Sequence, residues 1–525
     1  MTRHNTLVAL ATLLLAVALF ATSALAKSSS GDRVLVLLDD ISDKNLYEKF
    51  WKSLGDRGFS LQFKTASDPK ISINEYDTRL YDHIIIFSPK TRTFVSPEVT
   101  PLTLVQFVKD GGNILLGASA SLSDNLRDFA HEFHIDFDDR DTTVIDHFAY
   151  NASTDASTDA STDTSTDASA DHTLLVLDAP NLTNVKPILP SISNPILFRG
   201  IGHKLGSTPL LTRILSAGPT TYSADTNEEQ PVDADTVGLV GKEIGLVSAL
   251  QARNSARVVV VGSLELFEDK FFDSPVQKYT ADGSAKKYAK SGNEEFVAEL
   301  TKWAFQEKGV LKVVASRHHK EGETRQLESY RIKDNITYTI EISEYVNDAW
   351  TAFHASDVQL ELIMLDPYIR TTLVQLPTSP SHRSGKFKAH VQLPDVYGVF
   401  TFRVNYKRAG YTYLVDQTTV ALRPFRHDEY PRFLVAAYPY YTGAASMISG
   451  FLLFVVVWLS VWGTERARRE EKREEKREEK KEEKERAGRS EKIERLKPDS
   501  RSATPTPSDA GSEKSEKADK KKKKR

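Results

Sequence analysis

The sequence predicts an α/β domain with a largely parallel sheet, Rossmann- or flavodoxin-like but lacking a cofactor fingerprint. A β-sandwich-like domain and one C-terminal transmembrane helix follow it. Three observations carry this reading. Between Arg33 and about Gly309, short continuous apolar runs alternate with segments of helical period. From Val310 to about Pro424 the apolar residues recur at every second position. Finally, Ala444 to Gly463, "AASMISGFLLFVVVWLSVWG", contains no charged residue. Continuous runs mark strands buried on both faces, alternation marks half-buried antiparallel strands, and about 20 uncharged apolar residues suffice to cross a bilayer as a helix.

The chain has 525 residues, enough for about two to four domains. It begins "MTRHNTLVALATLLLAVALFATSALA": a basic start, an apolar stretch and an Ala-x-Ala end. These are the parts of a secretory signal peptide, residues 1–26, cleaved after Ala26. The α/β domain then occupies residues 27–309. Its strands are predicted at Val34–Leu38, His83–Phe87, Asn113–Gly117 and Arg257–Val261. In Lys44–Leu54, the residues Tyr47, Phe50, Trp51 and Leu54 recur at three- and four-residue steps and so share one helical face. Further helices are predicted at Leu102–Lys109, stopped by Gly111-Gly112, and at Asn293–Lys308, stopped by Gly309.

A Ser-Thr-Asp-Ala repeat at about 151–172 interrupts this domain. It lacks large apolar residues, cannot form a core, and reads as a disordered insertion. Its spaced aspartates lack the glycine and closing glutamate of a calcium loop.

Residues 310–430 form the β-rich domain, with "NITYTIEI", "DVQLELIML", "KFKAHVQL", "GVFTFRVNY" and "TYLVDQTTVAL" as its alternating runs. The span at 444–463 is preceded by Tyr438, Tyr440 and Tyr441 and followed at once by Arg466, Arg468 and Arg469. Such basic flanks stay cytosolic, which predicts a single-pass type I protein with its body in the lumen. The tail, 464–525, carries roughly 24 Lys+Arg against 17 Asp+Glu, about +7, while the whole chain is -3. A basic tail behind an acidic body points to two compartments and away from nucleic acid. "REEKREEKREEKKEEK" mixes favourable i,i+3 with unfavourable i,i+4 pairs, so a marginal helix or disorder is expected. Lys522 and Lys523 stand fourth and third from the C-terminus, as in the di-lysine retrieval signal of endoplasmic reticulum membrane proteins.

Candidate chemistry is sparse. The chain has no cysteine, which removes thiol catalysis, zinc–thiolate sites and iron–sulfur clusters. Asp39 and Asp40 end the first strand, where open α/β sheets bind ligands. No glycine-rich phosphate loop follows, and neighbours on a strand face opposite ways, so a helix cap by Asp39, Asp40 or Ser42 is the expected role. "GASAS", Gly117–Ser121, narrowly misses the nucleophile-elbow pattern, and Ser121 or Ser123 reads better as a cap. "HEFHIDFDDRDTTVIDHF" gathers His131, His134, Asp136, Asp138, Asp139, Asp141, Asp146 and His147, but not at metalloprotease spacing. Asn151, Asn181 and Asn335 begin N-x-S/T sequons, with Asn151, beside the insertion, the foremost candidate for N-glycosylation. No cofactor is expected. From the residues alone, a membrane-tethered lumenal hydrolase or glycan-processing enzyme stays open, as does a lumenal cargo receptor.

Several blocks together resemble one family, the 48 kDa subunit of the eukaryotic oligosaccharyltransferase complex. They are "VIDHF" (Val144–Phe148), "NPILFRGIG" (Asn194–Gly202), "LQARNSARVVVVGSLELF" (Leu250–Phe267), "LPDVYGVFTFRVNYKRAGYTYL" (Leu393–Leu414) and "AYPYYTGAASM" (Ala437–Met447). The resemblance implies a non-catalytic accessory subunit needed for assembly and stability. The complex would transfer a preassembled oligosaccharide from dolichyl diphosphate to Asn of Asn-x-Ser/Thr in nascent chains. The implied partners are a catalytic multi-spanning subunit, ribophorin-type subunits and small membrane subunits in the endoplasmic reticulum membrane. The repeat and the long charged tail depart from the family pattern.

Overall fold

Strand β1 (Arg33–Leu38) is apolar at five successive positions, and all five are buried. Val34, Val36 and Leu38 face one core while Leu35 and Leu37 face another. That division follows from the two-residue period of a strand covered on both sides. The computed structural model of the chain describes residues 28–76, 78–151, 172–225, 238–278, 286–346, 348–377, 382–430 and 435–494. The signal segment with Ala26, most of the Ser-Thr-Asp-Ala repeat, and Lys522 and Lys523 lie outside the described residues. Residues up to Phe425 form one unit and those from Arg426 a second.

The first sheet continues with β2 (Ser60–Thr65), β3 (His83–Phe87), β4 (Asn113–Gly117), β5 (Ile135–Phe137), β6 (His203–Leu205), β7 (Leu211–Ser216), β8 (Gly245–Gln251) and β9 (Arg257–Val261). Its order is β2-β1-β3-β4-β9-β8-β6-β5, with β7 also on β8. The prediction of a largely parallel sheet needs correction. The ladders from β2 to β9 are parallel, but β9–β8, β8–β6, β6–β5 and β8–β7 are antiparallel. The reason is connection length. Only residues 252–256 join β8 to β9, and a parallel crossover needs a dozen residues or more.

Helices α1 (Glu48–Asp56), α2 (Pro101–Lys109), α3 (Asp124–His131), α4 (Asp269–Asp273) and α5 (Asn293–Ala304) complete this layer. Tyr47, Phe50, Trp51 and Leu54 are all buried, as their spacing predicts. A 3₁₀ turn, Ile41–Tyr47, occupies part of the expected helix. Helix α2 starts with Pro101 behind a Thr100–Thr103 capping box and is followed by Gly111 at φ +93°. Helix α5 ends at Ala304, four residues before the predicted Lys308. Gln306 turns to φ +58°, and Lys308 already begins a strand.

The β-rich region comprises β10 (Lys308–Lys320), β11 (Ser329–Arg331), β12 (Asn335–Val346), β13 (Ala349–Ala352), β14 (Gln359–Ile363), β15 (Pro367–Thr372), β16 (Val374–Gln375), β17 (Gly385–Gln392), β18 (Gly398–Tyr406) and β19 (Leu414–Arg423). Two five-stranded sheets result: β10-β12-β17-β16 with β13 on β12, and β11-β19-β18-β14-β15. Ile336, Tyr338, Ile340 and Phe387 of the first share one core with Leu360, Leu362, Phe400 and Phe402 of the second.

In the second unit, helix α6 (Tyr438–Glu494) contains the whole apolar segment and continues into the charged tail. Of the marginal helix or disorder expected there, the described residues are helical through Glu494. Ion pairs at i,i+4, Arg466–Glu470 (3.8 Å) and Glu465–Arg469 (3.6 Å), lie just past the apolar stretch.

Candidate functional site

The carboxyl end of the parallel strands holds the residues that raised the question of chemistry, and each is engaged in a turn. Asp39 accepts from the Thr91 hydroxyl (2.6 Å) and the Lys90 amide (3.3 Å). Asp40 caps the 3₁₀ turn, accepting from Ser42 N (3.4 Å) in a reciprocal box with Asp43. In the "GASAS" segment, Ser119 and Ser121 hydroxyls share a bond of 3.1 Å. A Cβ on Gly117 would lie 2.4 Å from Leu264 Cδ2, so that side chain would have to shift to admit one. Ser123 takes the N-cap position of α3 through its backbone alone.

The His/Asp stretch is dispersed. His131 and Asp136 pair at the surface (2.5 Å), and that bond raises the imidazole's pKa. His134 sits in a turn at φ +58°. Asp146 is buried elsewhere, accepting from Phe148 N (2.8 Å), Ala149 N (3.1 Å) and the hydroxyls of Thr220 (2.9 Å) and Thr221 (3.0 Å). It pins one loop to another. His147 bonds the Tyr222 hydroxyl (2.8 Å). No group of three or more potential metal ligands comes together among the described residues. Of the sequons, Asn335 is exposed and Asn181 half-buried. Asn151 is only 2% exposed, and its side-chain oxygen accepts from Gln277 N (3.0 Å).

The opposite, amino end of the same strands is where buried polar groups converge. Strands β1, β3, β4 and β9 begin with Arg33, His83, Asn113 and Arg257. Arg33 pairs with Asp82 (2.9 Å) and holds that carboxyl below its usual range. His83 and Asn113 are fully buried and bonded to each other (3.1 Å), with the other ring nitrogen on Gly31 O (3.1 Å). Burial lowers the His83 pKa to about 4, so the ring is neutral at pH 7. The Asn113 oxygen accepts from Arg257 N (2.8 Å) and from the Gln306 side chain (3.2 Å).

Arg257, with no exposed surface, reaches further. Its guanidinium donates to the carbonyls of Trp303 (2.5 Å), Lys308 (2.9 Å) and Gly309 (2.9 Å), and stacks 4.5 Å from the Trp303 ring. Burial lowers its pKa to about 9, which still leaves it charged at pH 7. These carbonyls belong to the segment where α5 gives way to β10, which is why the helix stops early. Trp303 Nε1 then donates to Gly410 O (2.8 Å), and Leu311 N to the Thr412 hydroxyl (2.8 Å). The α/β layer is thereby bonded to the β-rich region through one buried seam.

Beside the seam opens a cleft of about 520 Å³, lined by residues of both regions, including Lys186, Lys302, Lys308 and Glu344. Its cations are largely matched: Arg57 pairs with Glu307 (2.6 Å), and Lys302 (2.6 Å) and Lys308 both reach Glu299. Burial raises Glu344 to about 7. The arrangement is suited to holding two layers together.

The sequence reading missed the seam. A signal for it does exist: "RVLVLL", "HIIIF", "NILLG" and "RVVVV" each place one polar residue ahead of an apolar run. Nothing local says that these residues meet.

Comparison with known proteins decides the family. Residues 25–307 match the domain described as "OST48, N-terminal domain", and residues 318–462 match the "OST48 middle domain". The chain belongs to this family.

Relatives named dolichyl-diphosphooligosaccharide–protein glycosyltransferase 48 kDa subunit are similar along most of their length. The Arabidopsis thaliana protein is 40% identical over 429 residues, 81% of this chain and 92% of that protein. The Danio rerio protein is 39% identical over 437 residues, 83% and 93%. The Drosophila melanogaster protein is 40% identical over 432 residues, 81% and 90%. A putative ThuA-like protein from Parabacteroides merdae is similar over 52% of this chain at 12% identity and a TM-score of 0.25, which carries no argument. The resemblance to the OST48 family read from sequence blocks therefore holds. Two of those blocks meet in the seam: Leu250–Phe267 supplies Arg257, and Leu393–Leu414 supplies Gly410 and Thr412.

Proposed function

We propose that this chain is a subunit of an oligosaccharyltransferase complex in protein N-glycosylation, acting as a non-catalytic scaffold. Near 40% identity over more than nine-tenths of the length of named 48 kDa subunits carries the reading. The complex moves a preassembled oligosaccharide from dolichyl diphosphate to Asn of Asn-x-Ser/Thr, with the catalytic groups on a multi-spanning partner. Ribophorin-type and small membrane subunits are its other partners. Engaged side chains at the sheet's carboxyl end support the scaffold role, which requires no cofactor on this chain.

The protein crosses the endoplasmic reticulum membrane once, through the apolar part of α6, with the body in the lumen and the tail in the cytosol. The N-terminal signal segment, the basic residues after the span and Lys522 and Lys523 support that placement. The parallel strand order β2-β1-β3-β4-β9 favours a flavodoxin-like assignment for the first layer, and the core shared by the two later sheets favours a sandwich. Exposure favours Asn335 over Asn151 as a glycan acceptor.

Purification in mild detergent tests the function. Co-isolation of a multi-spanning transferase, and reduced sequon occupancy on depletion of this chain, are expected. Turnover of a glycan or ester by the isolated chain, with sequon occupancy unchanged on depletion, would overturn it.

A further inference from the structure

Strand β12 carries its inward side chains in one row. Ile336, Tyr338, Ile340 and Ile342 are all buried in the core shared by the two later sheets. The two-residue period continues that row to Glu344 and Val346. Both of these line the cleft beside the seam, where the α/β layer supplies the other wall. A row that is otherwise apolar thus places one carboxylate in a cavity of about 520 Å³.

Glu344 is the half-buried carboxylate of this cleft left without a partner. Arg57 pairs with Glu307 (2.6 Å), and Lys302 (2.6 Å) and Lys308 both close on Glu299. Asp348 accepts from the Tyr345 hydroxyl (3.0 Å). Lys186 is exposed, so solvent and salt screen its charge. Thr351 donates to the Glu344 backbone carbonyl (3.2 Å), and no donor among the described residues meets the carboxylate itself. Burial alone raises this carboxyl to about 7, so near neutral pH it stands between its charged and neutral forms.

The rest of the lining says what would complete it. Pro187, Pro190 and Val346 offer apolar surface to a methylene stem. Tyr411, close enough to feel the Glu344 charge, adds an aromatic ring. The volume falls in the range of small-ligand clefts. A carboxylate held in a desolvated site gains more from a counter-ion than an exposed one does.

We propose that this cleft binds an aliphatic cation, an arginine- or lysine-type side chain or a free amine of that kind. Its charge pairs with Glu344 and its stem lies on Pro187, Pro190 and Val346.

Isothermal titration of the full chain in detergent tests this with a blocked Gly-Gly-Arg-Gly-Gly peptide, the neutral citrulline counterpart, and agmatine. The arginine peptide, agmatine or both should bind, and the citrulline peptide at least tenfold more weakly. Tighter binding of the peptide than of agmatine assigns a peptide source and the converse a free amine; both uphold the proposal. Affinity should fall about tenfold from pH 8 to pH 6, because the ionised fraction of a carboxyl near 7 falls from about 0.9 to about 0.1. Among the described residues no histidine lines the cleft to titrate in that window. At pH 7, binding should release about half a proton, read from titrations in two buffers of different ionisation enthalpy. Glu344→Gln should remove both the binding and its pH dependence while keeping the thermal midpoint. Failure of both cations to bind, equal binding of the citrulline peptide, or unchanged affinity in E344Q each overturns the proposal. So does binding without proton release, a measurement on the parent chain that stands even where the variant does not fold.

Discussion

The two ends of the parallel strands β1, β3, β4 and β9 are unequal. The carboxyl end, where α/β proteins usually place their sites, carries Asp39, Asp40 and Ser119 in ordinary turn and cap bonds. The amino end carries His83, Asn113 and Arg257, all fully buried and bonded into a seam that reaches the β-rich region. The lesson is that the hydrogen-bonded buried groups at the amino end join two layers, whereas the buried hydroxyls at the carboxyl end, Ser88, Ser123 and Ser263, make no such bonds. The scaffold role proposed above calls for a rigid joint rather than an open crevice.

That contrast can be broken most forcefully at Arg257. Arg257→Met should strip donors from three buried carbonyls and cost about 3–5 kcal/mol in denaturant unfolding, with loss of assembly. A variant that unfolds like the parent would remove the seam from the account.

Acid comes next. His83 is held to about 4 and His203, buried and bonded to Ser248 (2.5 Å), to about 3, whereas an unfolded histidine titrates near 6.5. As pH falls below 6.5, the unfolded chain takes up protons that the folded chain refuses. Each ring should therefore cost about 2 kcal/mol by pH 5 and more toward pH 4. Unfolding curves at pH 7 and pH 5 measure the slope, and His83→Gln should remove its share. An unchanged slope in that variant would contradict the burial of a neutral ring.

Trp303→Phe deletes the indole bond to Gly410 O, leaving the longer one from Arg257 (3.5 Å), and should cost about 1–2 kcal/mol by the same measurement. The smallest effect belongs to the other end. Asp39→Asn and Asp40→Asn should each change stability by about 1 kcal/mol or less and leave sequon occupancy in the intact complex unaltered. A pure loss of turnover there would move the functional weight back to the carboxyl end.

Local chemistry made much of the fold legible. Continuous apolar runs gave β1, β3, β4 and β9 to within a residue, because strands covered on both faces admit little else. Tyr47, Phe50, Trp51 and Leu54 announced their buried face through helical spacing. The antiparallel half of the first sheet was not legible, since its strands are short and interrupted by residues that pair far away, as His203 does with Phe137 and Gly245. The end of α5 was misjudged for a related reason: Arg257, distant in sequence, claims the carbonyls at 303, 308 and 309.

By itself, then, the sequence determined the family, the apolar segment and the alternation of elements. These depend on residue order and on periodicities that the backbone imposes locally. Only the tertiary structure decided that the His/Asp stretch scatters, that Asn151 is buried, and that the first residues of three strands, His83, Asn113 and Arg257, close into one seam. Hydrogen bonds of buried polar groups are directional and reach across the chain, so their partners are fixed by folding and by nothing nearby in sequence.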